Sequence, residues 1–192
     1  MSRFLLIFVI VFTSFNAMAQ TADVKYTPPI SGDMVKMTVL DKPVQIPDVM
    51  ISSSDKGLIY LSEYKTKLVV LNLWATWCPP CIQELPSLNA LQHAMGGNLF
   101  DVVTVSLDTN GPEAVKKYLT DNKLDDLPGF IDTNGDIQKL EVLKGVPGVP
   151  VTLILSPQMR VLAKIEGDVD WNGKAARDVL EYYAKNISYA SF

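Results

Sequence analysis

The sequence predicts an α/β fold built on one mixed sheet, and three observations carry that prediction. Leu68 to Trp74 is a nearly continuous apolar run, the pattern of a strand buried on both faces. A helical stripe follows it (Cys81, Leu85, Leu88 and Met95), and then a second buried strand over Asp101 to Asp108. Strand, helix and strand in that order imply a parallel pair joined by a right-handed crossover. Val151–Leu155 and Val161–Glu166, joined by Ser156–Met159, form a hairpin that adds antiparallel strands.

The remaining elements follow in chain order. Met1-Ser2-Arg3 carries one positive charge, and Phe4 to Phe12 is apolar without a break. Ala17-Met18-Ala19 then offers the small-x-small pattern of a signal-peptidase site, so residues 1–19 read as a secretory signal cleaved between Ala19 and Gln20. The apolar run is about half the roughly 20 residues a membrane span needs. Gln20 to Asp33, with Pro28-Pro29, reads as a flexible leader, and residues 34–192 as one domain. Met34 to Val49 alternates around Asp41-Lys42, which predicts an N-terminal hairpin, and Leu58–Leu61 a short strand after a turn at Ser52–Gly57. Pro86 is expected to kink the first helix near Ile82. Gly111–Asn122 is a second helix with Pro112 near its first turn, and Asp132–Asp136 a turn capping a short helix to Leu143. Lys174–Asn186 closes the chain as a helix, with Ala175, Val179, Leu180 and Tyr183 inward.

Composition removes several function classes. The chain has 192 residues, 48% hydrophobic and 20% charged, with a net charge of −4 and no basic block. Nucleic-acid binding runs on clustered cations, so no such partner is expected. Two Cys and one His are too few for a structural zinc site or a multi-bridge scaffold, so neither metal nor cofactor is expected. His93 lies about 18 Å up the helix from Cys81, out of reach as a cysteine's base. Asp132–Asp136 lacks the EF-hand spacing, Asn186-Ile187-Ser188 is a glycosylation sequon by pattern only, and the seven Met are scattered.

The chemistry sits in Trp77-Cys78-Pro79-Pro80-Cys81, between the buried strand and the helix it feeds. A sulfur at a helix N-terminus meets unpaired N–H groups and the positive end of the dipole, so Cys78 is expected to be the more acidic, reactive thiol. Cys81, one turn deeper, is placed to resolve a mixed disulfide on Cys78. In an oxidising compartment the two form a disulfide unless they are kept reduced. A structural bridge over so short a loop would stabilise little. Pro79-Pro80 stiffens the turn and removes two amide donors.

Leu71 to Leu88, which contains this segment, resembles the active-site region of the TlpA-like (ResA/CcmG-type) branch of the thioredoxin superfamily, and the similarity runs from about Pro47 to Asn186. The resemblance implies a thioredoxin fold: a three-layer α/β/α arrangement with a central mixed sheet, an N-terminal β-hairpin extension and an insertion between the second strand and helix of the core. It implies an exported, periplasmic thiol–disulfide oxidoreductase that reduces protein substrates such as apocytochrome c or copper-site cysteines. A membrane thiol relay of the DsbD type would supply its electrons, and the chain would act as a monomer. Gly148-Val149-Pro150-Val151-Thr152 matches the family's cis-proline loop, with Pro150 cis and the Val149 backbone free for a substrate segment. Glu84 matches a glutamate that assists proton transfer, Asn72 stands where cytosolic thioredoxins carry a buried aspartate, and Trp77 shields the sulfurs and offers contact surface. Two alternatives stay open: an oxidase or isomerase, although no His lies between the cysteines, and a Cu(I)-binding module using the same thiolates.

Overall fold

In the computed structural model, which describes residues 26–187, eight strands form one sheet in the order β1-β8-β7-β4-β5-β6-β2-β3. The strands are β1 (Met37–Gln45), β2 (Met50–Ser53), β3 (Gly57–Tyr60), β4 (Leu68–Trp74), β5 (Phe100–Ser106), β6 (Phe130–Ile131), β7 (Val151–Leu155) and β8 (Arg160–Glu166). The helices are α1 (Pro79–Met95), α2 (Pro112–Asp121) and α3 (Lys174–Asn186). Every residue of β4 is buried, as its apolar run requires. It pairs parallel with β5 and antiparallel with β7, so the sheet is mixed at its centre. The signal segment, its cleavage site and the sequon's Ser188 lie outside the described residues.

The two faces of the sheet are covered differently. On one, Val70, Trp74, Val102 and Ile154 pack with Leu85, Leu88 and Leu91 of α1, Val115 and Leu119 of α2, and Val179, Leu180 and Tyr183 of α3. On the other, Leu71, Leu73, Val103 and Leu153 are covered by Ile46, Val49, Leu61, Tyr64, Ile137, Leu140 and Leu143. Those covering residues lie in loops and short 3₁₀ turns. The insertion in the core is α2 with β6, which extends the sheet beside β5 in parallel register.

Three local expectations are corrected. Met34–Val49 is not a hairpin: residues 32–36 form a 3₁₀ turn, and Met37–Gln45 is one edge strand along β8. Its register shifts between Val39, opposite Ala163, and Val44, opposite Val161, so Asp41-Lys42-Pro43 lies in a bulge. The N-terminal hairpin falls further on, between β2 and β3 (Met50 opposite Tyr60). The short helix expected up to Leu143 is a run of turns ending in a 3₁₀ turn at Glu141–Leu143. On α3 the inward alanine is Ala176 rather than Ala175.

The described part of the 20–33 leader lies against the domain. Tyr26 packs edge-on against Tyr183 at 5.5 Å, and the Thr27 N–H donates to the Tyr182 hydroxyl at 3.0 Å. The helix α1 runs through Pro86 as one continuous segment.

Asp132 carries the turn that replaces the expected helix. Its carboxylate accepts from the backbone N–H groups of Asp136 (2.8 Å), Ile137 (3.1 Å) and Gln138 (3.4 Å). Replacing it by Ala leaves those donors unpaired beside buried Ile137. Asp132→Ala is expected to lower stability by about 1–2 kcal/mol, and Asp132→Asn by less, in urea unfolding of the disulfide form.

Candidate active site

The first turn of α1 sets the geometry around the cysteines. Cys78 is the N-cap, and Pro79 and Pro80 occupy the next two positions, where a proline ring fits a helix start. Neither has an N–H, so the first amide free to cap is that of Cys81, and it donates to Cys78 Sγ at 3.3 Å. The two sulfurs form a disulfide with S–S 2.01 Å and Cα–Cα 5.3 Å. Cys81 is fully buried and Cys78 is 4% exposed.

The loop before β7 closes one side of the sulfur pair. The Val149–Pro150 bond is cis, and the Val149 carbonyl oxygen lies 3.5 Å from Cys78 Sγ. Val149 is half-buried and Pro150 buried. Trp77 is 66% exposed, so its ring is on the surface beside the sulfurs, with Pro79 exposed and Pro80 half-buried. Ile82, also partly exposed on the first turn of α1, extends this apolar rim and was not picked out by the sequence.

Glu84 faces inward rather than to solvent, with 2% exposure. Its Oε1 accepts from Asn72 Nδ2 at 2.7 Å, and its Oε2 from the Val169 N–H and the Trp171 indole N–H, each at 3.2 Å. Burial pushes its carboxyl up to about 7, the three donors pull against that, and the charge of Asp168 adds to the rise. Asn72 Nδ2 also donates to Thr152 Oγ1 at 2.9 Å, in the strand directly opposite. Ser87 ties the same region together, donating to the Glu84 carbonyl (2.7 Å) and accepting from the Trp171 N–H (3.1 Å).

A second carboxylate fixes the approach to Cys78. Asp108, just past β5, accepts from the Thr76 N–H (2.9 Å) and the Thr76 hydroxyl (2.8 Å). Asp108, Thr152, Trp171 and Ser87 were not singled out in the sequence. Thr152 and Asn72 carried a signal, being polar positions in phase on two buried strands. The others come from segments whose approach only the fold reveals. His93 is exposed on the far part of α1, its Nδ1 3.3 Å from Asp126 Oδ2. Among the described residues no group of three or more His, Cys, Asp or Glu is placed to hold a metal ion.

A disulfide-bonded cysteine pair at a helix start, flanked by a cis-proline loop on this mixed sheet, is the arrangement of a thiol–disulfide oxidoreductase of thioredoxin fold. Residues 44–164 match the model of the AhpC/TSA family. The chain belongs to that family and, within its thioredoxin-like members, to the ResA/CcmG-type branch. It is 28% identical over 144 residues to a thiol-disulfide oxidoreductase ResA of Bacillus thuringiensis, covering 75% of this chain and 77% of the relative. A ResA of Oceanobacillus iheyensis is 30% identical over 134 residues, covering 70% and 64% of the two chains. Among solved structures, a putative thiol:disulfide interchange protein DsbE from Chlorobium tepidum superposes with a TM-score of 0.61 and 28% identity, covering 74% of this chain and 98% of that one.

The buried carboxyl makes stability depend on pH with a defined sign. Folding raises the Glu84 carboxyl from 4.5 to about 7, so the folded protein binds that proton more tightly than the unfolded chain. The stability it contributes is full below about pH 4.5 and is lost as pH rises through about 7. Glu84→Gln removes the titration. Between those pH values the variant is expected to gain roughly 3 kcal/mol relative to the wild type, read by urea unfolding at each pH. Parallel pH profiles for the two proteins would contradict this.

Proposed function

We propose that this chain is an exported, periplasmic disulfide reductase of protein substrates, drawing electrons from a membrane thiol relay of the DsbD type and acting as a monomer. In this reading the signal segment is cleaved between Ala19 and Gln20, and residues 34–192 form the working domain behind a leader of residues 20–33. Cys78 attacks the substrate disulfide, and its sulfur becomes part of a mixed disulfide while one substrate sulfur leaves as thiolate. Cys81 then attacks Cys78 Sγ, the Cys78–Cys81 disulfide forms, and the second substrate sulfur leaves. Glu84 assists the proton transfer that lets Cys81 attack as thiolate. Trp77, Pro79 and Pro80 meet the substrate around the sulfurs, and the Val149 backbone, held by Pro150, lies against its extended segment. Apocytochrome c and copper-site cysteines are the substrate classes that suit a periplasmic ResA/CcmG-type reductase.

The direction rests on one observation: Pro79 and Pro80 leave a single backbone N–H, that of Cys81, on Cys78 Sγ. A strong oxidant of this fold owes its potential to a stabilised reduced form, and amide donors at the helix start are one means of stabilising a thiolate. A site with one donor favours the reduced form less and gives up electrons more readily.

The test is the potential of the Cys78–Cys81 couple in glutathione or dithiothreitol buffers. A value near thioredoxin's roughly −270 mV is expected, and one near DsbA's roughly −120 mV would reverse the direction. Pro80→Ala adds an amide donor at the helix start. It is expected to move the couple toward oxidising values by about 15–30 mV, a factor of roughly three to ten in equilibrium, and to speed alkylation of reduced Cys78 several-fold at neutral pH. An unchanged potential and alkylation rate would remove the proline argument.

A further inference from the structure

Asn72 is held by an arrangement that serves only one protonation state of its neighbour. Glu84 Oε2 already receives two fixed donors, the Val169 N–H and the Trp171 indole N–H. Neither group can turn round to accept, so a proton on this carboxyl has to sit on Oε1. There it points at Asn72 Nδ2, 2.7 Å away and itself a donor. The second N–H of that amide goes to Thr152 Oγ1 at 2.9 Å, while Asn72 Oδ1 is buried with no partner.

Half a turn about the Cβ–Cγ bond exchanges Oδ1 and Nδ2 with almost no change in shape. Oδ1 then accepts from the Glu84 O–H and from the Thr152 hydroxyl, whose hydrogen rotates freely. Each orientation leaves one end of the amide unpartnered, so the surroundings favour neither strongly and the proton on Glu84 decides between them.

We propose that Asn72 is a positioning residue whose amide turns over each time Glu84 gains or loses its proton, with the Thr152 hydroxyl switching from acceptor to donor. The use of this turnover rests on the reading of Glu84 as the proton carrier for thiol exchange. A fixed donor at this position would hold Glu84 ionised and a fixed acceptor would hold it protonated. A turning amide supports both forms among fully buried neighbours, and an aspartate there would add a second charge. The other groups facing the carboxyl are few. Asp168, on the segment after β8, disfavours the carboxylate and is itself paired with Lys36 Nζ at 3.3 Å. The sulfurs of Cys78 and Cys81 lie on the preceding turn of α1, and from β4 and β7 come only Asn72 and Thr152, which do not titrate.

The experiment uses the folded disulfide form, in which the cysteines do not titrate. The Asn72 side-chain amide and the Glu84 carboxyl carbon are followed by NMR from pH 5 to 9. As pH falls through the Glu84 midpoint, both Nδ2 proton resonances are expected to move upfield together, because turning removes both partners at once. Movement of only the proton facing Glu84 means that the amide keeps its orientation, and the proposal fails. Glu84→Gln is expected to abolish both movements; if they persist, Glu84 is not their source and the proposal fails. Asn72→Leu keeps the shape and removes every hydrogen bond; because the turning amide bonds both forms of Glu84, the midpoint is expected to move by well under one pH unit, whereas loss of a fixed donor would raise it by about one unit. Asn72→Asp, in which two carboxyls share a proton, is expected to raise the midpoint clearly, and serves if the leucine variant does not fold. A full-unit rise in the folded leucine variant, or an unchanged midpoint in the aspartate variant, overturns the proposal. An oxidising potential for the cysteine couple would instead reverse the functional reading and leave these results as they stand.

Discussion

The antiparallel pairing of β4 with β7 is the constraint on which the site depends. Its register runs from Val69 opposite Leu155 to Leu73 opposite Val151, so the chain entering β7 lies beside the chain leaving β4. Pro150 immediately precedes the first paired residue of β7, and Cys78 follows the end of β4 by four residues. The loop and the sulfurs therefore meet because two buried strands are locked in one register. Both strands are buried throughout, and a slip of one residue would exchange the side chains packed against the two differently covered faces. The same pairing puts Asn72 directly opposite Thr152, on the face that α1 covers.

From that register the carboxyl of Glu84 links four segments: α1, which carries it, β4 through Asn72, and the chain after β8 through Val169 and Trp171, with β7 joined through Thr152. Each is a segment that borders the sulfur pair or supports one that does. The acid costs stability where it stands, because burial opposes its ionised form and three donors only partly offset that. An apolar residue of similar size would escape that penalty but leave the Asn72, Val169 and Trp171 donors unpaired. The expense is of the kind found at working sites, where a titratable group is held close to the operating pH.

The centre of the fold was legible in the sequence, and its edges were not. Leu68–Trp74 reads as a buried strand because both faces are covered, so local composition and final environment agree. Met37–Gln45 alternates as a half-buried strand does, but Asp41-Lys42-Pro43 gives the same turn chemistry whether the chain reverses or bulges along a partner. What separates the two outcomes is β8, more than a hundred residues away. The site divides in the same manner. The cysteines, the two prolines and Glu84's place one turn beyond Cys81 follow from spacing within one helix. That Glu84 is buried depends on donors 85 and 87 residues further on, and no local pattern reports them.

In the proposed reading, the two unusual features of the site act on two different quantities. Removing amide donors from Cys78 raises the cost of its thiolate, which favours the disulfide over the dithiol. Holding Glu84 near neutrality supplies a group on the next turn that can take or return a proton at ambient pH without bulk water reaching fully buried Cys81. Either alone would be incomplete: a less stabilised thiolate with no nearby proton acceptor reacts slowly, and a poised carboxyl beside a fully capped thiolate has little to do. In the proposed reading the double proline therefore bears on the direction of exchange, and the buried acid on its rate.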